Sequence, residues 1–301
     1  MNLKVNIAGV PFKNPVIAAS GTFGFGREYN AFYDVSVLGG IVTKGLTLLP
    51  RAGNFGTRIA ETPSGILNSV GLQNPGVEAF IAGELPFLDA LDTVVIANIA
   101  GNTEQDYIKI AERVGGTSVD MVELNISCPN VKCGGIAFGV EPQSVEHITR
   151  VVKKVCQKPL IVKLTPNVAR ISDNAQAAEN GGADALSLIN TLTAMAVDYK
   201  TRRPVLQNIT GGLSGPAVKP IALRMVYEAY RAVKIPIIGM GGIMNPEDIL
   251  EFMIAGAAAV QAGSANIFEP LAAFNLVKGL TDLLKTCKIN DVNEIVGTLI
   301  T

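Results

Sequence analysis

The stretch MVELNISCPNVKCGGIAFG, residues 121–139, contains the unit that the rest of the chain repeats. A short, largely apolar run at 121–124 leads into a polar cluster that begins at Asn125 and includes Cys128 and Asn130. A run of this length followed by Pro and Gly predicts a buried strand that enters a loop. A thiol between two carboxamides suits a site that binds a polar planar molecule and moves a proton. The alternative is a buried structural cysteine beside a turn.

The same pattern occurs eight times along the chain. The predicted strands are residues 16–19, 41–42, 94–97, 121–124, 160–162, 185–189, 235–240 and 258–262. Strands that are apolar along their length are typical of a parallel sheet with both faces buried. Helical patterns separate most of them, for example at 105–114 and 145–155, and helix starts are predicted at Asn245-Pro246 and Glu269-Pro270. Eight β/α alternations predict an α/β fold, a (β/α)8 TIM barrel; a doubly wound sheet is the alternative.

The remaining segments are predicted to cover the two ends of this barrel. We expect residues 3–12 to form an N-terminal hairpin at one end. Three segments, 46–75, 129–142 and 192–216, are too long for tight βα loops, so we expect loop excursions over the C-terminal face. No linker or low-complexity tract divides the chain, which predicts a single domain, 1–301.

Composition excludes several classes of protein. With 25 Lys and Arg against 26 Asp and Glu, the chain has no excess charge to attract nucleic acid. The longest apolar run, 252–260, is too short to cross a bilayer, and no signal peptide pattern opens the chain. The cysteines show no disulfide-framework spacing, which predicts reduced thiols in the cytoplasm. With one histidine and no CxxC motif, we expect no metal site.

Polar side chains follow the predicted strands at their carboxyl ends, the face that carries the active site in this fold. They are Ser20, Lys44, Asn98, Asn125, Lys163 and Asn190. Any one of them could be a satisfied strand-end group, but six together predict a binding site. The last two strands end in Gly241-Gly242 and Gly263-Ser264, where glycine N–H groups suit the phosphate that barrels bind at this position.

The polar residues and glycines at the strand ends favour FMN over a nucleotide bound in a Rossmann site. No GxGxxG motif opens a helix after a strand, and the glycines at 21–26 have the wrong order. A phosphate site with two lysines and several carboxamides suits FMN. A lysine near the N1 and O2 edge of the flavin would stabilise the anionic reduced ring.

These residues lie in motifs that resemble those of the class 1 dihydroorotate dehydrogenases, in family order along nearly the whole chain. The motifs are NPV at 14–16, ASGTFG at 19–24, TKG at 43–45, NSVGLQNPG at 68–76, NISCPNVK at 125–132, KLTP at 163–166, NT at 190–191, GG at 241–242 and GS at 263–264. The CGG sequence at 133–135 is more similar to the NAD-linked class 1B catalytic subunit than to the fumarate-using class 1A. Ser264 stands where many relatives have Thr.

The resemblance implies oxidation of (S)-dihydroorotate to orotate in de novo pyrimidine (UMP) biosynthesis. Cys128 would be the general base that removes the C5 proton while hydride leaves C6 for flavin N5. The implied FMN-binding residues are Ser20, Lys44, Gly45, Asn98, Asn125, Lys163, Ile189, Gly215, Gly241, Gly242, Gly263 and Ser264. The implied substrate-binding residues are Lys44, Asn68, Ser69, Val70, Gly71, Leu72, Asn125, Asn130, Asn190 and Thr191.

The resemblance also implies partners, while other functions stay open. With NAD as final acceptor, a second subunit carrying FAD and a [2Fe–2S] cluster would dock on a homodimer of this chain, giving a heterotetramer. The alternatives are a class 1A enzyme that reduces fumarate, a lyase or aldolase forming a Schiff base through Lys163 or Lys44, and a non-catalytic FMN-binding protein. We expect Cys133 to pack or form an interface, and His147 to lie on a barrel helix away from the catalytic face.

Overall fold

Short strands and helices alternate along the chain, which the computed structural model describes at residues 1–126 and 135–301. The strands are β1 (Val5–Ile7), β2 (Val10–Phe12), β3 (Val16–Ala18), β4 (Gly40–Val42), β5 (Ile59–Thr62), β6 (Gly65–Asn68), β7 (Val94–Ile99), β8 (Met121–Asn125), β9 (Leu160–Lys163), β10 (Ala185–Leu188), β11 (Leu192–Met195), β12 (Val197–Asp198), β13 (Arg203–Pro204), β14 (Thr210–Ser214), β15 (Ile237–Met240) and β16 (Ala259–Ala262). The helices are α1 (Arg27–Asn30), α2 (Val77–Ala79), α3 (Leu85–Asp89), α4 (Glu104–Gly115), α5 (Gly135–Val140), α6 (Pro142–Val155), α7 (Ile171–Asn180), α8 (Lys219–Tyr230), α9 (Pro246–Ile254), α10 (Ala265–Phe268) and α11 (Ala272–Thr286).

A closed barrel forms the centre of the molecule. Its strands follow one another in chain order, β3, β4, β7, β8, β9, β10, β15 and β16, and each runs parallel to both neighbours. The pairing of Val260 with Val16 joins the last strand to the first. The predicted (β/α)8 barrel is therefore confirmed. The doubly wound alternative is excluded because an open sheet would leave two unpaired edges.

The strands are largely apolar because the interior covers one face and helices cover the other. On α4, Tyr107, Ile110 and Val114 are buried, and on α6, Val145, Ile148 and Val152 are buried, as expected for helices that pack one face on a core. Asn245 and Asp248 form a capping box at the predicted start of α9.

One predicted helix start is wrong. Glu269-Pro270 does not open a helix, because the Glu269 N–H still donates to the carbonyl of Ala265 at the end of α10. The next helix, α11, begins at Ala272. Within the described ranges, no helix is long and apolar enough to span a membrane.

Different segments cover the two ends of the barrel. The predicted hairpin is β1 and β2, and it lies where the strands begin: a Cβ on Gly40, the first residue of β4, would lie 3.0 Å from the Phe12 ring. At the opposite end, β11, β14, β6 and β5 pair into one antiparallel sheet. This sheet combines the predicted excursions 46–75 and 192–216. The excursion 129–142 lies partly outside the described residues.

Replacing Phe12, which is 1% exposed, tests the packing of the hairpin against the barrel. Phe12→Ala should lower the free energy of unfolding by about 3–5 kcal/mol, because it leaves a cavity under the strand starts. The matched control is Phe55→Ala: Phe55 is 86% exposed, so its loss should change stability by no more than about 0.5 kcal/mol. Denaturant unfolding followed by far-UV circular dichroism suits a chain without tryptophan. Equal losses in the two variants would contradict this packing.

Candidate active site

A pocket opens at the end of the barrel where the strands finish. About 1270 Å³ of space lies within its boundary, a figure that includes the open solvent at its mouth. Ile59 and Ile66 of the covering sheet form part of its wall. The residues predicted from sequence that line it are Ser20, Lys44, Gly45, Asn68, Val70, Gly71, Leu72, Lys163, Ile189, Asn190, Thr191, Gly241, Gly242, Gly263 and Ser264.

Other predicted site residues lie beside or below the pocket. Ser69 is buried, and its hydroxyl lies 3.0 Å from the Asn208 amide nitrogen, so it joins the two excursions. Asn98 and Asn125 are buried near the ends of β7 and β8, and hydrogen bonds connect them to Asn190 in the pocket lining. Gly215 lies next to Gly242. A Cβ on Gly242 would be 2.9 Å from the carbonyl oxygen of Gly215. Three further predicted positions, Cys128, Asn130 and Cys133, lie outside the described residues.

Two lysines bring positive charge to the pocket wall. Lys163, the last residue of β9, is only 5% exposed, and its ammonium donates to the Ser20 hydroxyl at 3.3 Å. Lys44 is half-buried and donates to the carbonyl of Gly21 at 3.4 Å. Both side chains are therefore placed to bind an anionic or electron-rich ligand.

A chain of carboxamides runs from the pocket into the barrel. The Asn190 amide donates to Asn125 Oδ1 at 3.4 Å, and the Asn125 amide donates to Asn98 Oδ1 at 3.4 Å. Asn98 then donates to Oε1 of Glu123 at 2.6 Å. Since an ionised carboxylate only accepts hydrogen bonds, Glu123 sets the direction of the whole chain. Tyr107 fixes the strand end by donating to the Asn125 carbonyl at 3.0 Å.

Glu123, Ser187 and Gln261 are functional candidates that the sequence analysis missed. All three are buried inside the barrel, and Ser187 and Gln261 each donate to Oε2 of Glu123 at 2.8 Å. Side chains two residues apart in a strand share a face. That rule puts Glu123 on the face of Asn125, and Gln261 on the face of Gly263. The alternation of side chains along each strand could therefore have predicted both residues at the site. Glu123 was missed because it stands within a largely apolar run.

The glycines after β15 bring backbone close to the pocket. Gly241 and Gly242 have φ values of 125° and 78°, in the region that favours glycine. A Cβ on Gly242 would lie 2.8 Å from Cβ of Lys219. Hydrogen bonds from Lys219 to the carboxylates of Asp248 and Glu251 raise the pKa of Lys219, so this lysine keeps its charge beside the loop.

The residues present fit FMN on three observations. Gly241, Gly242 and Gly263 line the pocket, and backbone N–H groups of glycine-rich turns suit a phosphate. Lys163 offers a donor for the electron-rich edge of the ring. Among the described residues, Gln261 Oε1 and Thr22 Oγ1 are buried on the pocket wall without a hydrogen-bond partner, and an imide N–H or a hydroxyl of the ligand would satisfy them. Across 1–126 and 135–301, no group of three or more His, Cys, Asp or Glu is arranged to hold a metal ion.

The histidine lies on an outer helix, as predicted. His147 is on α6, and its Nε2 lies 2.6 Å from Oε2 of Glu104 on α4. Its side chain is 57% exposed, and it is not among the residues that line the pocket. Its independence from catalysis stays a prediction.

Comparison with known proteins identifies close relatives over the full length. The sequence model of the family described as dihydroorotate dehydrogenase matches residues 2–284. A protein of Alkaliphilus oremlandii named dihydroorotate dehydrogenase B (NAD(+)), catalytic subunit, is 56% identical over 298 residues, which covers 99% of each chain. A protein of Petrotoga mobilis with the same name is 54% identical over 299 residues, 99% of this chain and all of its own.

A solved structure shows the same fold. The dihydroorotate dehydrogenase of Eimeria tenella, crystallised with ferulenol, superposes with a TM-score of 0.82 over 99% of this chain and 88% of its own. The two sequences are 24% identical, so this likeness concerns the barrel architecture alone.

Substitution of Gly242 tests the close approach of backbone at the pocket. Gly242→Ala should lower the free energy of unfolding by at least about 1 kcal/mol, because a left-handed conformation costs a side chain roughly 1–2 kcal/mol and the Cβ meets Lys219. Gly21→Ala is the matched control, since Gly21 also lines the pocket but its Cβ would meet no atom within 4 Å. Denaturant unfolding without added ligand separates the two variants. Identical midpoints would show that the loop adopts another conformation.

Proposed function

The chain belongs to the dihydroorotate dehydrogenase family, and from that premise we propose that it is the catalytic subunit of an NAD-linked enzyme that oxidises (S)-dihydroorotate to orotate in pyrimidine biosynthesis. The observation that carries the proposal is the convergence of Lys44, Lys163, Asn68 and Asn190 on one pocket at the barrel mouth. The names of relatives that are 54–56% identical support the NAD-linked class over the fumarate-using one.

The pocket offers complementary groups for every part of the substrate. Dihydroorotate is a carboxylate on a ring that presents imide N–H and C=O groups. Lys44 supplies positive charge for the carboxylate, and the carboxamides of Asn68 and Asn190 both donate and accept, so they can pair with the ring edges. The hydrogen bond from Asn190 to Asn125 restricts the orientation in which Asn190 meets the ligand.

Cys128 is the proposed general base. It lies outside the described residues and follows Asn125, the last residue of β8, by three positions in the sequence. Its thiolate would take the proton from C5, leaving the electron pair of that C–H bond to form the ring double bond as the hydride leaves C6. FMN, when bound, supplies the acceptor for that hydride. Ser20, Lys163, Gly242 and Ser264 are proposed to hold the flavin.

The proposal also includes a partner subunit and a cellular compartment. The relatives are named as catalytic subunits, which implies another subunit in those enzymes. We propose that a homodimer of this chain binds subunits carrying FAD and a [2Fe–2S] cluster, which pass electrons to NAD. The whole chain, 1–301, would act as one FMN-binding domain in the cytoplasm; the free thiols of Cys156 and Cys287 suit that compartment.

The role of Cys128 predicts a large and specific kinetic effect. Cys128→Ala should still bind FMN and orotate, while reduction of the flavin by dihydroorotate slows by roughly 10²–10⁴, the range for loss of a general base. Cys128→Ser should match Ala or fall between near neutral pH, because a hydroxyl is a poorer base than a thiolate. Stopped-flow bleaching of the flavin across pH measures both. A Cys128→Ala variant with the wild-type rate and pH profile would show that Cys128 is not the base.

Alkylation of the cysteines provides an independent test. Burial raises the pKa of the Cys156 thiol, so at neutral pH its thiolate fraction is small and it should react slowly, whereas exposed Cys287 should react fast. Orotate should slow the alkylation of Cys128 and leave the rate at Cys287 unchanged. Peptide mass spectrometry after iodoacetamide treatment resolves the individual thiols. Equal protection of Cys287 would point to a general effect of ligand on stability.

The acceptor distinguishes the two classes of enzyme. We expect the purified chain to reduce NAD with dihydroorotate only when the partner subunit is present, and to leave fumarate unreduced. The measurement is NADH formation with and without co-expressed partner, beside succinate formation by the lone chain. Rapid fumarate reduction by the lone chain would assign it to the fumarate-using class instead.

A further inference from the structure

The carboxylate of Glu123 is the centre of a buried polar cluster inside the barrel. Its side chain has no solvent exposure, and it accepts hydrogen bonds from Asn98, Ser187 and Gln261 at 2.6–2.8 Å. The Lys163 ammonium lies 3.5 Å from its Oε1. Four barrel strands besides its own, β7, β9, β10 and β16, therefore direct a polar group at one carboxylate.

This cluster is not explained by stability of the fold. Barrel interiors are usually filled by branched apolar side chains, and burying a carboxylate is unfavourable even when it is paired. Aliphatic residues at these positions would fill the barrel without that cost. The arrangement is therefore expected to serve the pocket above it.

The cluster contacts the pocket through two residues. Lys163 donates to Ser20 on the pocket wall while its ammonium faces Glu123. Gln261 donates its amide to Glu123, which turns its unpartnered Oε1 away from the carboxylate, and Gln261 lines the pocket. Glu123 thus fixes both a cation and an amide acceptor at the pocket floor.

We propose that Glu123 is a positioning residue for the dehydrogenase reaction: it holds Lys163 and Gln261 toward the flavin and balances the charge of the Lys163 ammonium. The proposal rests on the proposed function, because it requires a flavin in this pocket. Charges 3.5 Å apart in a buried site interact strongly, so the field that Lys163 exerts on the ring depends on the neighbouring carboxylate.

If the two charges balance each other, removing the charge of Glu123 and removing the charge of Lys163 should shift the flavin midpoint potential in opposite directions. Glu123→Gln keeps the shape and removes the negative charge, so Lys163 should stabilise the anionic reduced ring more strongly and raise the potential. The expected shift is at least tenfold in the ratio of reduced to oxidised flavin, or about 30 mV for a two-electron couple. Lys163→Met should lower the potential. The double variant, which removes both charges, should return it to within tenfold of wild type.

Ser187→Ala is the matched control. It removes one hydrogen bond to Glu123 Oε2 but leaves both charges, so the potential should change by less than tenfold. Potentials are measured on the flavin-loaded full chain by anaerobic reduction with dithionite and an indicator dye. This reductant makes the readout independent of dihydroorotate oxidation.

The outcomes distinguish a positioning role of Glu123 from a purely structural role. An unchanged potential in Glu123→Gln with full flavin, or shifts of both single variants in the same direction, would overturn the proposal. If Glu123→Gln fails to fold, the double variant decides: folding and flavin binding in it support charge pairing, and its failure assigns Glu123 a structural role. A wild-type chain that binds no flavin would contradict the proposed function itself.

Discussion

Closure of the parallel barrel places the carboxyl ends of all eight central strands around one opening. Because these strands are buried on both faces, most of their side chains are apolar, and many of their polar groups lie at the carboxyl ends. Ser20 and Ser264 are far apart in the sequence, yet both line the same pocket because β3 and β16 are neighbours in the ring. The binding site is in this sense a consequence of topology, and the excursion sheet forms part of its wall.

The interior beneath this opening is polar where a barrel of this kind is usually aliphatic. Asn98, Glu123, Ser187 and Gln261 replace part of the packed core, and their hydrogen bonds compensate the loss of hydration. Each side chain in this cluster has a defined orientation, because the carboxylate accepts hydrogen bonds and the amides and the hydroxyl donate them. The protein therefore trades some hydrophobic stabilisation for a floor in which a cation and an amide have fixed positions.

Much of this arrangement could be predicted from the sequence. The eight strands were recognisable because each combines an apolar run with a polar or glycine end, and the observed bounds, such as β9 at Leu160–Lys163, lie close to the predicted ones. The excursions were recognisable by length. Their pairing into one sheet was not, because β6 and β14 are joined by no short turn and their register depends on tertiary contacts. Glu123 was overlooked because its charge was read within an apolar run, although alternation assigns it to the face of Asn125.

The central claim is that this chain alone carries out the oxidation of dihydroorotate and that the partner serves only to carry electrons onward. Anaerobic titration of the purified flavin-loaded chain with dihydroorotate, in the absence of any partner or external acceptor, tests it most directly. The account predicts that the visible absorbance of the flavin is lost with formation of one orotate for each flavin. A fully loaded flavin that stays oxidised in excess dihydroorotate would contradict it.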